Sequence, residues 1–194
     1  NNHVLALKRH AESLARLGKY QESILSLDQV IILCPDDAEA YYHKGVAYDA
    51  IKQSDLSIES YQQAIKINPN YINALNNLGV LLSTKEKYEE ALDAFRKIIV
   101  INPGYVNAHN NIGSILSKLG RHKEALVSYE QAIELNPEYC EAYLNRGLSL
   151  AAIGQYEGAV TSYNKAITIS PHKPELYYNR AIAFQLMKYA DQAI

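Results

Sequence analysis

The sequence predicts an all-α protein, an α-solenoid of antiparallel helix pairs, and three periodic observations predict it. Prolines stand at Pro35, Pro69, Pro103, Pro137 and Pro171, 34 residues apart each time. Small residues recur at the same interval in two columns, Ala11, Gly45, Gly79, Gly113, Gly147 and Ala181 in one and Ser23, Ser57, Ala91, Ala125, Ala159 and Ala193 in the other. Large residues flank these columns at one-turn spacing. Tyr41, Leu75, Tyr143 and Tyr177 precede the first, Leu14, Tyr48, Leu82, Leu116, Leu150 and Phe184 follow it, and Leu27, Tyr61, Phe95, Tyr129 and Tyr163 follow the second. Such spacing is helical. A fixed period of roughly 20 to 50 residues marks stacked repeats, each too small to bury its apolar face alone.

The elements follow in order. First helices are predicted over 4–17, 38–51, 72–85, 106–119, 140–153 and 174–187, and second helices over 20–33, 54–67, 88–101, 122–135 and 156–169. Each proline ends a pair. The residue before it is Cys34, Asn68, Asn102, Asn136 or Ser170, and Asn-Pro suits a helix stop, because Asn tolerates a left-handed cap and Pro cannot continue the helix. The small columns mark where the two helices of a pair cross closely. The aromatic column of the second helices could be a stacking platform for bases, but its helical spacing assigns it to the repeat core. One array is expected over 1–194, with repeats at 4–37, 38–71, 72–105, 106–139 and 140–173 and a partial sixth at 174–194. The second helix of that sixth repeat would stop after about five residues and leave Phe184 and Leu186 uncovered.

Composition narrows the function. With 19 basic against 21 acidic residues, the chain lacks the broad positive field that draws proteins to nucleic acid or anionic membranes, so neither is an expected partner. No apolar run nears the roughly 20 residues that span a bilayer, and no leader opens the chain, so a soluble, cytoplasmic protein is expected. A start at Asn1 and a stop at Ile194 in mid-pattern suggest a segment of a longer polypeptide. Cys34 and Cys140 lie three repeats apart, too far for an intramolecular disulfide in a solenoid. No phosphate-binding, dinucleotide, metalloprotease, C-x-x-C or nucleophile-elbow motif is present. His109 and His122 have no Cys at zinc-ligand spacing. Catalysis, metal binding and cofactor binding are therefore not expected.

The run Leu75-x-x-Leu78-Gly79-x-x-Leu82, then Ala91-x-x-x-Phe95, then Pro103, resembles the tetratricopeptide repeat, and the resemblance covers essentially the whole chain. Departures are mild. Cys34 and Ser170 replace Asn, Ala11 and Val30 stand where Gly and mostly Ala occur elsewhere, and Lys44, Arg146 and Arg180 share a column with Leu78 and Ile112. Long basic side chains can bury their stems there and send their heads to water. The resemblance implies a right-handed superhelix whose first helices line a concave groove.

One constellation in that groove could carry function. Two residues before the first small column stand Arg9, His43, Asn77, Asn111, Asn145 and Asn179. The four asparagines are similar to the ladder with which the O-GlcNAc transferase type of repeat grips the backbone of an extended peptide. A carboxamide donates and accepts at once, so it can pair with peptide N–H and C=O whatever the ligand's side chains. Four helical asparagines in one column lower helix propensity, which calls for a compensating role. Neighbouring columns add Asn73 and Asn107, then Asn76 and Asn110, with Glu39, Glu141 and Glu175 toward the ends. These side chains are expected to be exposed. The chaperone-tail clamps of this family need cations on successive first helices, and Asn77, Asn111, Asn145 and Asn179 occupy the clamp arginine's place. The expected function is a protein–protein interaction scaffold that binds an extended peptide or a partner domain in the groove. The alternative is the substrate-recruiting arm of a larger enzyme such as an O-GlcNAc transferase-like glycosyltransferase. Self-association through exposed repeat ends is a further expectation.

Overall fold

The computed structural model describes the backbone of residues 2–192 and the side chains of residues 2–188. Eleven helices and no strand occur among the described residues: α1 (Asn2–Arg16), α2 (Tyr20–Leu33), α3 (Ala38–Ala50), α4 (Ser54–Ile67), α5 (Ile72–Thr84), α6 (Tyr88–Ile101), α7 (Val106–Lys118), α8 (His122–Leu135), α9 (Cys140–Ala152), α10 (Tyr156–Ile169) and α11 (Pro174–Gln192). The protein is all-α, built from consecutive antiparallel pairs, and α1 to α10 match their predicted bounds to within two residues.

Two kinds of turn alternate, and the left-handed residue lies in the turn inside each pair, not at the Asn-Pro turn where the sequence places it. Before the prolines, Asn68 and Asn136 are extended, with φ of −125° and −142°. A following proline disfavours helical and left-handed backbone alike. The asparagine side chain instead accepts a hydrogen bond two residues on: Asn70 N donates to Asn68 Oδ1, Gly104 N to Asn102 Oδ1 and Glu138 N to Asn136 Oδ1, each at 3.1 Å. The left-handed residues sit in the turn inside each pair, at Gly18, Lys52, Glu86, Gly120 and Gly154, with φ between 60° and 79°. They close a reversed helix end. Gln155 N donates to Leu150 O at 2.9 Å and Arg121 N to Leu116 O at 2.8 Å, the bond that joins the residue beyond a left-handed cap to the last helical turn.

Within a pair, the second helix drives a ring against the glycine of the first. A Cβ added at Gly45, Gly79, Gly113 or Gly147 would lie 2.6, 2.8, 2.5 or 2.4 Å from the ring of Tyr61, Phe95, Tyr129 or Tyr163. Those rings are buried. The second small column closes the same crossing, since Ser23 Oγ donates to Ala11 O and Ser57 Oγ to Gly45 O at 2.8 Å. The basic column does more than snorkel. Lys44 pairs with Asp28 at 2.6 Å, Arg146 donates to Ser162 at 2.8 Å and Arg180 to Asn164 at 2.7 Å, each tying a first helix to a second.

The chain divides into two compact units between Ile101 and Asn102, the first holding α1 to α6 and the second α7 to α11. In the second unit α11 departs from expectation. It runs on through Lys188, where a turn at about that position was expected, and Ala193 of the second small column lies outside the described residues. Lys188 holds the position that Lys52 and Glu86 hold in earlier repeats. Left-handed backbone costs a non-glycine residue about 1–2 kcal/mol, which a packed second helix offsets at Lys52 and Glu86. Leu176 and Ala183 of α11 are buried, whereas Tyr177, Ala181, Phe184 and Leu186 are exposed. Cys34 and Cys140 are both free thiols.

Candidate functional site

The first helices carry the predicted site residues, and the asparagines prove to be partly engaged. In the first unit, His43 and Asn73 are exposed, while Asn76 and Asn77 are half-buried. Asn76 Nδ2 donates to Asn77 Oδ1 at 3.3 Å, and Asn77 Nδ2 donates to Tyr61 Oη at 3.4 Å. Asn76 Oδ1 is buried with no hydrogen-bond partner among the described residues. In the second unit, Asn107 is exposed and Asn111, Asn145 and Asn179 are half-buried. Asn110 is only 7 % exposed, and its Oδ1 accepts from Asn145 Nδ2 at 3.1 Å. Asn110 therefore positions Asn145, and the expectation that all these side chains face water needs correcting. Each amide has two donor hydrogens and an oxygen with two lone pairs. Asn77 and Asn145 thus each keep a spare donor and spare acceptor capacity.

The first unit holds a feature that the sequence did not announce. A cavity of about 490 Å³ opens between α1 and α3, floored by α2, with Ala11, Leu27 and Ala47 in its lining. Lys8, Arg9 and His43 stand around it. Lys8 Nζ bonds Asp37, 2.9 Å from its Oδ2, and also Glu39. Burial pulls the Lys8 ammonium down, but these two carboxylates outweigh it and hold Lys8 above its ordinary value. Asp37 is held below the usual carboxylate range, because the Lys8 bond and its own bond from Ala40 N at 3.0 Å overcome its burial. Glu39 also lies 3.9 Å from His43 Nε2. Tyr42 packs its ring between His43, Tyr61 and Tyr71, with centroids 5.1, 6.0 and 5.0 Å away.

No group of three potential metal ligands occurs among the described residues. His109 Nε2 lies 2.9 Å from Pro103 O, and His122 Nδ1 lies 3.3 Å from Ser117 Oγ. No helix among the described residues is long and apolar enough to cross a membrane.

Three profiles from protein families match the chain. One described as Tetratricopeptide repeat matches 38–71, 72–105 and 106–139, another of that description matches 128–161, and one described as TPR repeat matches 11–51 and 147–188. No curated protein matches in sequence. Among solved structures, the protein MamA is similar at 24 % identity and TM-score 0.79, over 85 % of this chain and 96 % of that one. YrrB, described as a TPR protein with an unusual peptide-binding site, is similar at 22 % identity and TM-score 0.79, over 90 % of each chain. A tetratricopeptide repeat protein from Parabacteroides merdae reaches TM-score 0.87 at 19 % identity, over all of this chain and 77 % of its own.

Proposed function

The chain belongs to the tetratricopeptide repeat family, and on that footing we propose that it is a protein-interaction scaffold that holds an extended segment of a partner protein against its first helices. The observation that carries this reading is the asparagine column at Asn77, Asn111, Asn145 and Asn179, in which Asn77 and Asn145 each keep an unused donor and spare acceptor capacity. Backbone amides of an extended peptide are the natural complement, since both sides offer donors and acceptors in alternation. Described in its own right as having a peptide-binding site, YrrB lends the reading support through a shared fold.

The test is titration of a peptide selected on the wild-type protein against a variant with Asn77, Asn111 and Asn145 all changed to Ala. Each lost backbone contact weakens binding by about 0.5–1.5 kcal/mol, so the three together lower affinity roughly tenfold to a thousandfold. Stability is not expected to be untouched. Asn145→Ala leaves the buried Asn110 Oδ1 without its donor, a loss of about 1 kcal/mol, so Asn111→Ala alone serves as the variant that keeps its fold intact. Equal affinity in the single and triple variants and the wild type would remove the ladder from the binding surface.

A further inference from the structure

We propose that the cavity between α1 and α3 is a side-chain anchor site that takes an aromatic residue of a partner peptide, with an adjacent carboxylate held by Arg9. This deepens the scaffold reading above and rests on it for the kind of partner. The first repeat lacks a ring that the others carry. In the four following repeats, Tyr61, Phe95, Tyr129 or Tyr163 fills the space beneath a glycine at 45, 79, 113 or 147. The first repeat has Ala11 and Leu27 at those two positions. The alanine methyl and the shorter leucine close the helix crossing, since both are buried, but nothing reaches onward to the gap between α1 and α3. The equivalent gap in the next repeat is where Tyr61 Oη meets Asn77 of α5 at 3.4 Å. In the first repeat, His43 stands at Asn77's position, and His43, Ala11 and Leu27 all line the cavity.

The charges around the cavity select what accompanies the ring. Lys8 is bound to Asp37 and Glu39, and Arg16 pairs with Glu12 at 2.7 Å. Arg9 lines the cavity, is exposed, and has neither ion pair nor hydrogen bond among the described residues. One uncommitted guanidinium beside an apolar floor fits an aromatic side chain next to an aspartate or glutamate, because the planar fork binds a carboxylate through two parallel bonds. A volume of about 490 Å³ falls within the range of small-ligand sites and exceeds what a single ring needs.

The probes are short capped peptides that carry phenylalanine followed by aspartate, alanine followed by aspartate, or phenylalanine followed by asparagine, titrated by NMR. The first should shift amides of α1 and α3. Replacing its phenylalanine by alanine should weaken binding roughly tenfold or more, the factor for withdrawing an apolar side chain from a pocket. Replacing its aspartate by asparagine should cost about twofold to fivefold, as for an exposed ion pair. The protein variant is Ala11→Gly with Leu27→Tyr, which installs the glycine–ring pair of the other repeats. It should melt at or above the wild-type temperature and yet lose the phenylalanine probe. Arg9→Glu decides independently, even if the double variant fails to fold, by switching preference to a probe with lysine in place of aspartate. Equal binding of the phenylalanine and alanine probes, an undiminished affinity in the folded double variant, or an unchanged charge preference in Arg9→Glu overturns the proposal. These probes are too short to span the asparagine column. A cavity that fails while Asn111→Ala still weakens the selected peptide therefore leaves the scaffold reading standing, and the reverse outcome removes the ladder alone.

Discussion

Placing one methyl group at Gly113 tests the ring-under-glycine crossing directly. A Cβ there would lie 2.5, 2.7 and 2.9 Å from Cε1, Cδ1 and Cζ of Tyr129, against about 3.5–4.0 Å for carbon atoms in comfortable contact. The ring is 1 % exposed, so it cannot swing aside, and α7 and α8 must part by about 1 Å. Overpacking costs about 1–3 kcal/mol, and three contacts under 3 Å against a ring that is fully enclosed put this site at about 2–3 kcal/mol. Alanine recovers about 1 kcal/mol through its better helix propensity. Gly113→Ala should therefore destabilise by about 1–2 kcal/mol after both effects. Tyr129→Leu alone leaves a cavity and costs about 2 kcal/mol or more. Combining the two reproduces the pair that the first repeat already uses, Ala11 with Leu27, so the double variant should fall short of the sum of its parts by about 1 kcal/mol. The assay is urea unfolding followed by far-UV circular dichroism, with exposed Lys123→Ala as a control that should stay within about 0.5 kcal/mol of wild type. A Gly113→Ala protein as stable as the control, or a double variant that costs the full sum, would refute the reasoning.

Three more expectations follow from the turns and the buried groups. Lys52 pays for its φ of 63° with strain, so Lys52→Gly should raise the melting temperature by the equivalent of about 0.5 kcal/mol, while Gly120→Ala lowers stability by about 1 kcal/mol. Burial pushes the phenols of Tyr71, Tyr129 and Tyr163 up to about 12. Phenolate absorbance should then show a late-titrating class, and stability should fall as pH rises from the ordinary 10.0 toward that value, because the unfolded chain loses these protons first; a single titrating class near the ordinary value contradicts this. Asp37 is held below its ordinary 3.8, so its contribution is complete above that pH and disappears as pH falls through its folded value. Asp37→Asn keeps a capping side chain for α3 but should lower neutral stability by about 1 kcal/mol and flatten the acid limb, which thermal melts across an acid pH series will reveal.

The helices were legible because their punctuation is local. Proline cannot continue a helix from within, although Pro174 can begin one, and a glycine column beside an aromatic column reports a close crossing without any coordinates. The turn chemistry was only half legible. Asn-Pro signalled a stop correctly, but whether Asn68 turns left-handed or extended is decided by the clash with the ring of Pro69, and Lys52 and Glu86 gave no sign of left-handed backbone. The asparagine column was visible as a pattern, whereas the engagement of its members was not. Asn76 and Asn110 occupy one column, yet Asn110 accepts from Asn145 on the following first helix whereas Asn76 donates to its own neighbour Asn77. The cavity was the least legible feature. Ala11 stood out as a departure and Leu27 did not, and an opening that depends on a ring absent from a neighbouring helix can be seen only once the helices are packed.

The four glycine–ring crossings have a bearing on how the chain reaches its native state. Every one of them joins residues 16 positions apart, from Gly45 and Tyr61 to Gly147 and Tyr163. Closing so short a segment is a submicrosecond event in the unfolded chain, on the order of 100 ns, and a fold dominated by such neighbours in sequence has the low contact order of fast folders. Synthesis is slower by far. At about 5–20 residues per second a ribosome delivers the ring roughly 1–3 s after its glycine, so each pair can latch as it emerges, before the next pair exists to compete for its apolar face.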